Sequence, residues 1–374
     1  MKKTIEKRVE RLRKAIAENN IDTLMVLVEE NRRYLSGFTG EDTQFDESAA
    51  ALFITDNKLL LATDSRNDMQ AENEAPLYEI ICYKKGLAKE LPDIINTLNT
   101  KRLGFESVRM SYMQYNKIRK ELSSSNIDIE LVEADDIMEC LRIVKERSEI
   151  EELKKALIIA ESAFNDFIEK TIEPGMTEKE AAWLLEKNMR EAGADSVSFP
   201  IIVASGPNSA LPHAIPGNRK FKTGEPILFD WGAKLNGYCS DISRTLVIGS
   251  PDDRFKKIFK TVLDAQLKAI DVIRPGISSK AVDKIARNHI DSMGYKNKFG
   301  HGLGHGIGLA VHEPPRISPL KDTLLEKHMV FTVEPGIYIP GWGGIRIENM
   351  VFVTEKCVEV MNSLDPLTLL SGPK

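Results

Sequence analysis

A two-domain α/β (α+β) chain is what this sequence predicts, and three observations predict it. Its 374 residues exceed one ordinary domain of about 150. The first third alternates short apolar runs with stretches of helical spacing. Beyond about residue 140 the pattern shifts to long helices interleaved with strand-rich segments, so the boundary is expected between 135 and 147, giving domains 1–139 and 140–374.

Taken in order, Ile5, Val9, Leu12 and Ile16 recur at helical spacing over 4–19, and Asn19-Asn20 closes that helix before an apolar strand at 23–28. Strand-like runs at 49–54, 59–62 and 78–82 precede a helix at 87–98, and runs at 103–105 and 127–132 flank a further helical stretch. In the second domain Ile150, Leu153, Ala156, Leu157 and Ala160 keep one helical face apolar. Pro174-Gly175 turns the chain, and Thr177-Glu-Lys-Glu180 is a capping box that opens the next helix. After Phe199-Pro200 come strands at 201–204, 227–231 and 238–248, helices at about 252–273 and 279–293, and strands again over 330–354. Helix, helix and strands therefore follow one another twice within 147–354, which predicts a duplicated architecture without a sequence repeat.

Composition narrows the function classes. With 42% hydrophobic and 29% charged residues the chain can build real cores under a soluble surface. A net charge of −5 with both signs interspersed leaves no electrostatic footprint for nucleic acid, so no nucleic-acid partner is expected. The opening Met-Lys-Lys-Thr-Ile-Glu-Lys-Arg has no apolar signal core behind its lysines, and no apolar run reaches membrane length. No membrane partner and a cytoplasmic location are the expectations. Cys82, Cys140, Cys239 and Cys357 form no CxxC pair, which argues against a disulfide scaffold or a thiolate zinc site. Cys239 stands two residues before an aspartate of interest, on the same strand face.

That aspartate belongs to the most informative part of the chain. Asp230, Asp241, His305, Glu334 and Glu348 are each set in a turn or strand motif. Four carboxylates and an imidazole suit manganese, cobalt or iron, and the set is large enough for two ions. Asn236-Gly237 is a hairpin signal between Asp230 and Asp241. The two aspartates pair directly across the hairpin if its turn centres on 235–236, and diagonally if on 236–237; in both registers they share a face. An isolated pair of this kind is usually two solvated charges, but Ile227-Leu-Phe229 is too apolar for a surface edge. His301 and His305 stand four apart, yet glycines at 302, 304, 306 and 308 exclude a helix and let backbone approach a ligand. Glu334 and Glu348 sit in or at the end of apolar strands, where an unpaired carboxylate is expensive and a metal removes the cost.

These motifs resemble the creatinase/aminopeptidase family, whose catalytic domain has the pita-bread fold. The resemblance rests on Asp230-Trp-Gly, Gly237-Tyr-Cys-Ser-Asp241, Gly304-His305-Gly-Ile-Gly-Leu, Val311-His312-Glu-Pro-Pro, Thr332-Val-Glu334-Pro-Gly-Ile-Tyr and Arg346-Ile-Glu348. The first half is similar to the family's creatinase-like N-terminal domain through Asn31-Arg-Arg-Tyr-Leu-Ser-Gly-Phe-Thr-Gly40 and Ala62-Thr-Asp-Ser-Arg66. Methionine aminopeptidases generally lack that domain, which turns the expectation toward the proline-specific peptidases. The resemblance implies two divalent ions, manganese first with cobalt, iron or zinc as alternatives. Asp230 would hold one ion in bidentate fashion, Asp241 and Glu348 would bridge, and His305 with Glu334 would complete the other. A hydroxide between the ions would attack the scissile carbonyl, with Glu334 taking the proton. His213, delivered by the segment after Phe199-Pro200, and His312 would contact substrate and stabilise the tetrahedral intermediate. His301 would join substrate binding, and Arg346 would anchor Asp241 or a substrate group.

The expected activity is an Xaa-Pro aminopeptidase acting on peptides with proline in second position. The alternative is an Xaa-Pro dipeptidase (prolidase), discriminated by whether the site captures the free carboxylate of proline. A creatinase-like carbon–nitrogen hydrolase and a non-catalytic binding module are further readings, and the complete ligand set weighs against both. The resemblance also implies a homodimer or larger assembly in which one chain's N-terminal domain shapes access to its neighbour's site. Trp231, Asn349 and an acidic loop at 41–48 depart from the family's usual residues.

Overall fold

The computed structural model describes residues 2–42, 44 and 47–367. They form two units, Met1–Arg142 and Ile143–Lys374.

The first unit is a six-stranded sheet sandwiched by helices. In chain order it runs α1 (Lys2–Glu18), β1 (Thr23–Val26), α2 (Glu29–Ser36), β2 (Ala50–Ile54), β3 (Leu59–Thr63), α3 (Asp68–Glu74), β4 (Glu79–Cys82), α4 (Leu87–Leu98), β5 (Arg102–Phe105), α5 (Tyr112–Ser124), β6 (Glu130–Glu133) and α6 (Ile137–Arg142). Strand order is β4-β3-β2-β1-β5-β6. Only β2 runs against its neighbours, because the tight turn at 55–58 leads straight into β3 as a hairpin while the parallel strands need crossovers. Strands buried on both faces read as continuous apolar runs, which is why β1 and β2 were legible without alternation. In α1 the predicted stripe Ile5, Val9, Leu12 and Ile16 is buried.

Three short helices, α2, α3 and α6, were not anticipated. α2 carries the Asn31 to Gly40 motif, which has a structural explanation: buried Arg32 is the hub of the following loop. Its guanidinium donates to Asp42 at 2.7 Å, Ser48 Oγ at 2.9 Å and the Gly40 carbonyl at 3.2 Å. Arg109 bonds the same Asp42 at 3.0 Å. The acidic loop expected at 41–48 is thus tied back onto its own unit at Asp42; Thr43, Phe45 and Asp46 lie outside the described residues.

The second unit repeats one plan twice. Its first half is α7 (Arg147–Lys170), α8 (Glu178–Glu191), β7 (Ser196–Val197), β8 (Ile202–Ser205), β9 (Ile227–Trp231), β10 (Ala233–Leu235), β11 (Tyr238–Cys239) and β12 (Ile242–Leu246). The second is α9 (Asp253–Val272), α10 (Ser279–Ile290), β13 (Gly304–Gly306), β14 (Glu313–Ile317), β15 (Val330–Val333), β16 (Gly336–Ile339), β17 (Gly343–Arg346), β18 (Asn349–Val353) and β19 (Val358–Val360). The Thr177 capping box forms as expected. Each helix pair covers a strand layer: Phe164 and Phe167 of α7 meet Phe229 of β9 edge-on, and Val262, Ala265 and Ala269 of α9 belong to one core with Phe331, Ile345 and Val351.

The single strand expected at 238–248 is broken. Residues 227–246 form a long hairpin that changes sheet midway: β10–β11 pair with β7, and β9–β12 pair with β8. The change falls at Gly232, where a Cβ would lie 1.8 Å from the Ser240 carbonyl. Only glycine admits that crossing. Trp231 is fully buried, stacks on Phe164 at 4.0 Å between centroids and donates its indole N–H to the Ala160 carbonyl at 3.0 Å, so this departure fills a core rather than altering the site.

Candidate metal centre

The hairpin turns on Asn236-Gly237, with Asn236 at φ 50° and Gly237 at φ 81°. Lys234 faces Cys239 and Asp230 faces Ser243, so of the two registers left open the diagonal one holds. Asp230 lies on β9 and Asp241 in the step between β11 and β12, both lining one cavity of about 640 Å³. Into that cavity also run His305 from β13, Glu334 from the end of β15 and Glu348 from the link between β17 and β18.

All five side chains line this cavity, and three of them approach one another closely. One ligand atom each of Asp241, His305 and Glu348 lies within 4.8 Å of the others. The His305 Nε2 is 3.5 Å from Asp241 Oδ2 and 3.6 Å from Glu334 Oε1, while its Nδ1 faces the Gly306 carbonyl at 3.1 Å. That second contact fixes the ring and leaves Nε2 turned to the carboxylates. Gly304 makes the approach feasible, since a Cβ there would meet the Thr332 carbonyl at 1.9 Å.

Electrostatics give the cluster its chemical meaning. Burial, then the neighbouring Glu348, Asp230 and Glu334 charges, push Asp241 well above the usual carboxylate range. Glu334 is pushed up by burial and by Glu348. Glu348 itself is raised to about 7 by burial and Asp230. Burial lowers His305 to about 3, with His312 adding to the shift, so its imidazole is neutral at physiological pH. Buried carboxylates that resist ionising together, beside a neutral imidazole, accept either protons or a cation. Asp230 Oδ1 is moreover buried with no hydrogen-bond partner. The residues fit a divalent metal, and oxygen donors dominate as hard or borderline ions require.

Around this cluster sits a polar scaffold that sequence reasoning mostly missed. Arg346 donates to Asp230 Oδ2 at 2.6 Å, Ser243 Oγ at 2.7 Å, Tyr338 Oη at 3.0 Å and the Pro212 carbonyl at 3.3 Å. Its carboxylate partner is therefore Asp230 and not the expected Asp241, because the diagonal register puts Ser243 rather than Asp241 opposite Asp230. Ser243 also donates to Glu348 Oε2 at 2.7 Å. Fully buried Arg244 bonds the Glu348 carbonyl, and reaches Asn349 Oδ1 at 2.9 Å and the Leu364 carbonyl at 2.6 Å. Asn349 thus offers a neutral acceptor where the family often has a carboxylate. Gln266 of α9 donates to the carbonyls of Val333 at 2.8 Å and Ile347 at 3.0 Å, the residues just before Glu334 and Glu348. One helix side chain sets the spacing of two candidate ligands. The signal for Ser243 and Arg244 was present: Ile242-Ser-Arg-Thr-Leu246 places polar residues inside an apolar strand. Nothing in the sequence pointed to Gln266.

The three other histidines of the sequence motifs, His213, His301 and His312, all line the cavity. His312 packs edge-on against His305, with centroids 4.4 Å apart, and is followed by Glu313, whose carboxylate is paired with buried Lys145. His213 lies on a segment braced by Glu178, a fully buried carboxylate that accepts the Ser205 N–H at 2.8 Å, Asn208 Nδ2 at 3.1 Å and the Gly217 N–H at 3.0 Å. His301 bonds Tyr338 Oη through Nε2 at 2.9 Å. Cys239 does not line the cavity; its thiol faces the Leu309 carbonyl at 3.6 Å. Arg316, which was not anticipated, does. It faces His305 across the β13–β14 ladder, so both side chains leave the same face, and among the described residues its guanidinium has no hydrogen-bonded or ion-pair partner.

Comparison with known proteins bears on this arrangement. The model of metallopeptidase family M24 matches residues 151–355, and that of the Creatinase/Prolidase N-terminal domain matches residues 8–144. An Xaa-Pro dipeptidase of Pyrococcus furiosus is 37% identical over 354 residues, covering 94% of this chain and 96% of that protein. The solved Xaa-Pro dipeptidase from Bacillus anthracis is 40% identical with a TM-score of 0.89, covering 96% of this chain and 98% of the other. The X-Pro aminopeptidase from Thermotoga maritima MSB8 is 39% identical with a TM-score of 0.86 over the same shares.

Proposed function

The chain belongs to metallopeptidase family M24, and on that premise we propose that it is an Xaa-Pro dipeptidase, the alternative rather than the first of the sequence-based expectations. The observation that carries this reading is Arg316. A guanidinium left free on the cavity wall beside the metal-ligand candidates suits the terminal carboxylate that a dipeptide presents and a longer peptide does not. The dipeptidase name borne by relatives of 37% and 40% identity supports it. The aminopeptidase reading keeps the support of the Thermotoga relative.

In this reading Asp230, Asp241, His305, Glu334 and Glu348 hold two ions, with manganese the first choice, in a cytoplasmic homodimer. Ions so held would acidify a water and polarise the scissile carbonyl. The rest is done by the chain's own groups. Glu334, which lines the cavity beside His305, takes the proton from the attacking water at Oε2. His312, whose pKa burial lowers, and His213, both on the cavity wall, donate hydrogen bonds to the oxygen that gains charge and to the substrate backbone. His301, held by Tyr338, joins that wall. Arg346 holds the Asp230 carboxylate in place, and Arg316 anchors the proline carboxylate.

The test is manganese-reconstituted protein assayed on Ala-Pro, Ala-Pro-Ala, Met-Ala-Ser and creatine. Ala-Pro turnover with little on the tripeptide is expected. Equal kcat/KM on Ala-Pro and Ala-Pro-Ala would return the aminopeptidase reading, and no peptide turnover with any ion would remove both.

A further inference from the structure

The metal centre leaves the N-terminal unit's own cavity unexplained, and with it the Ala62-Thr-Asp-Ser-Arg66 motif. β1, β3, β4, β5 and β6 run parallel, so their carboxyl ends gather on one edge of the sheet. A cavity of about 260 Å³ lies at that edge: Leu27 follows β1, Asp64 and Arg66 follow β3, Tyr83 follows β4 and Met110 follows β5. In open α/β sheets this is where ligands bind. Such a volume falls just short of the range for drug-sized ligands and suits a molecule the size of one amino acid.

The lining is amphiphilic. Leu27, Leu87, Met110 and Ile118 supply apolar wall. Arg66 is engaged by Asp64 at 2.8 Å and Glu47 at 3.3 Å, so the motif itself builds a closed ion-pair rim. Three kinds of donor remain. Tyr83 is only 8% exposed, yet its hydroxyl has no hydrogen-bond partner among the described residues. Burial raises that phenol to about 12, which keeps it a donor. The Lys117 ammonium is likewise unpaired, and α4 begins here with Gly86 as an N-cap that offers no side-chain acceptor to the first N–H groups. A phenol whose ring is buried and whose hydroxyl faces a cavity without a protein partner is a donor available to a ligand there.

We propose that this cavity binds a small apolar carboxylate of amino-acid size, its oxygens taken by Tyr83, Lys117 and the start of α4 and its chain laid on Leu27, Met110 and Ile118. The inference does not depend on the peptidase reading.

Saturation-transfer NMR on the metal-loaded full chain tests it with L-leucine, 4-methylpentanoate, 3-methylbutylamine and inorganic phosphate as probes. Leucine and 4-methylpentanoate are expected to bind at millimolar concentration, and the amine and phosphate are not. Tyr83→Phe and Lys117→Met should each weaken binding about tenfold, the worth of one charge-assisted hydrogen bond, and leave dipeptide turnover unchanged. Arg316→Met should leave the binding intact. Absence of binding by either carboxylate, equal binding of the amine or of phosphate, binding that survives both cavity substitutions, or binding lost in Arg316→Met would each overturn the proposal, the last by moving the ligand to the catalytic cavity.

Discussion

Glu348→Gln separates the two faces of the carboxylate cluster, because the same charge that a cation needs is a burden without one. Asp241 and Glu348 have oxygens within 4.8 Å, and at an effective dielectric of 20 two charges at that distance repel by roughly 3 kcal/mol. Raising Glu348 from 4.5 to about 7 implies a cost of the same order, roughly 3 kcal/mol, for its ionised form in the metal-free fold. The second figure comes first from burial and then from Asp230 rather than from Asp241, so the two are not added. Below pH 4.5 Glu348 is neutral in folded and unfolded chains alike, so it carries no penalty there. Between 4.5 and 7 the folded chain holds a proton that the unfolded chain has lost, so metal-free stability falls as pH rises, and above 7 the whole penalty is present. Glutamine removes it. In chelator, Glu348→Gln should therefore match the parent protein at pH 4.5 and exceed it by roughly 3 kcal/mol at pH 8.5. With saturating manganese the order should reverse, because a ligand is lost. Urea unfolding followed by tryptophan fluorescence reports the right unit, since Trp183, Trp231 and Trp342 all lie in it. A metal-free difference that is independent of pH, or a variant less stable at pH 8.5 in chelator, would refute the electrostatic reasoning.

Three further predictions concern the scaffold. Gln266→Leu removes the brace before Glu334 and Glu348; manganese affinity should fall about tenfold, read by titration, with a stability loss of roughly 1–3 kcal/mol. Glu178→Gln loosens the segment that carries His213, so KM for Ala-Pro should rise more than kcat falls, and manganese affinity should stay unchanged. Arg316→Met should cost roughly 2 kcal/mol, or about thirtyfold in kcat/KM on Ala-Pro, and far less on Ala-Pro-Ala; equal losses on both would deny it the carboxylate.

What the sequence made legible followed from short-range pattern. The α1 stripe, the Thr177 capping box and the Asn236-Gly237 turn are local rules, and they survive folding because their partners lie within a few residues. Asp230, Asp241, His305, Glu334 and Glu348 stood out because a carboxylate inside an apolar strand is anomalous wherever it occurs. The short helices α2, α3 and α6 escaped because six to eight residues give too few turns for periodicity to show. The strand expected at 238–248 was overextended because the break at Ser240 answers to Gly232, on the opposite arm of the hairpin. Gln266 and Glu178 were invisible for a related reason. A buried polar side chain on a helix looks like any exposed one until the carbonyls or amides it serves, here 67 and 39 residues away at Val333 and Gly217, are in place.

The central claim is that Asp230, Asp241, His305, Glu334 and Glu348 together cage two cations. Manganese titration of the metal-free chain, read by electron paramagnetic resonance and checked by elemental analysis after dialysis, tests it most directly. The account predicts two bound ions per chain with the spectrum of a spin-coupled pair, reduced to one or none in Glu348→Gln. Uncoupled manganese, or a stoichiometry that Glu348→Gln leaves unchanged, would contradict it.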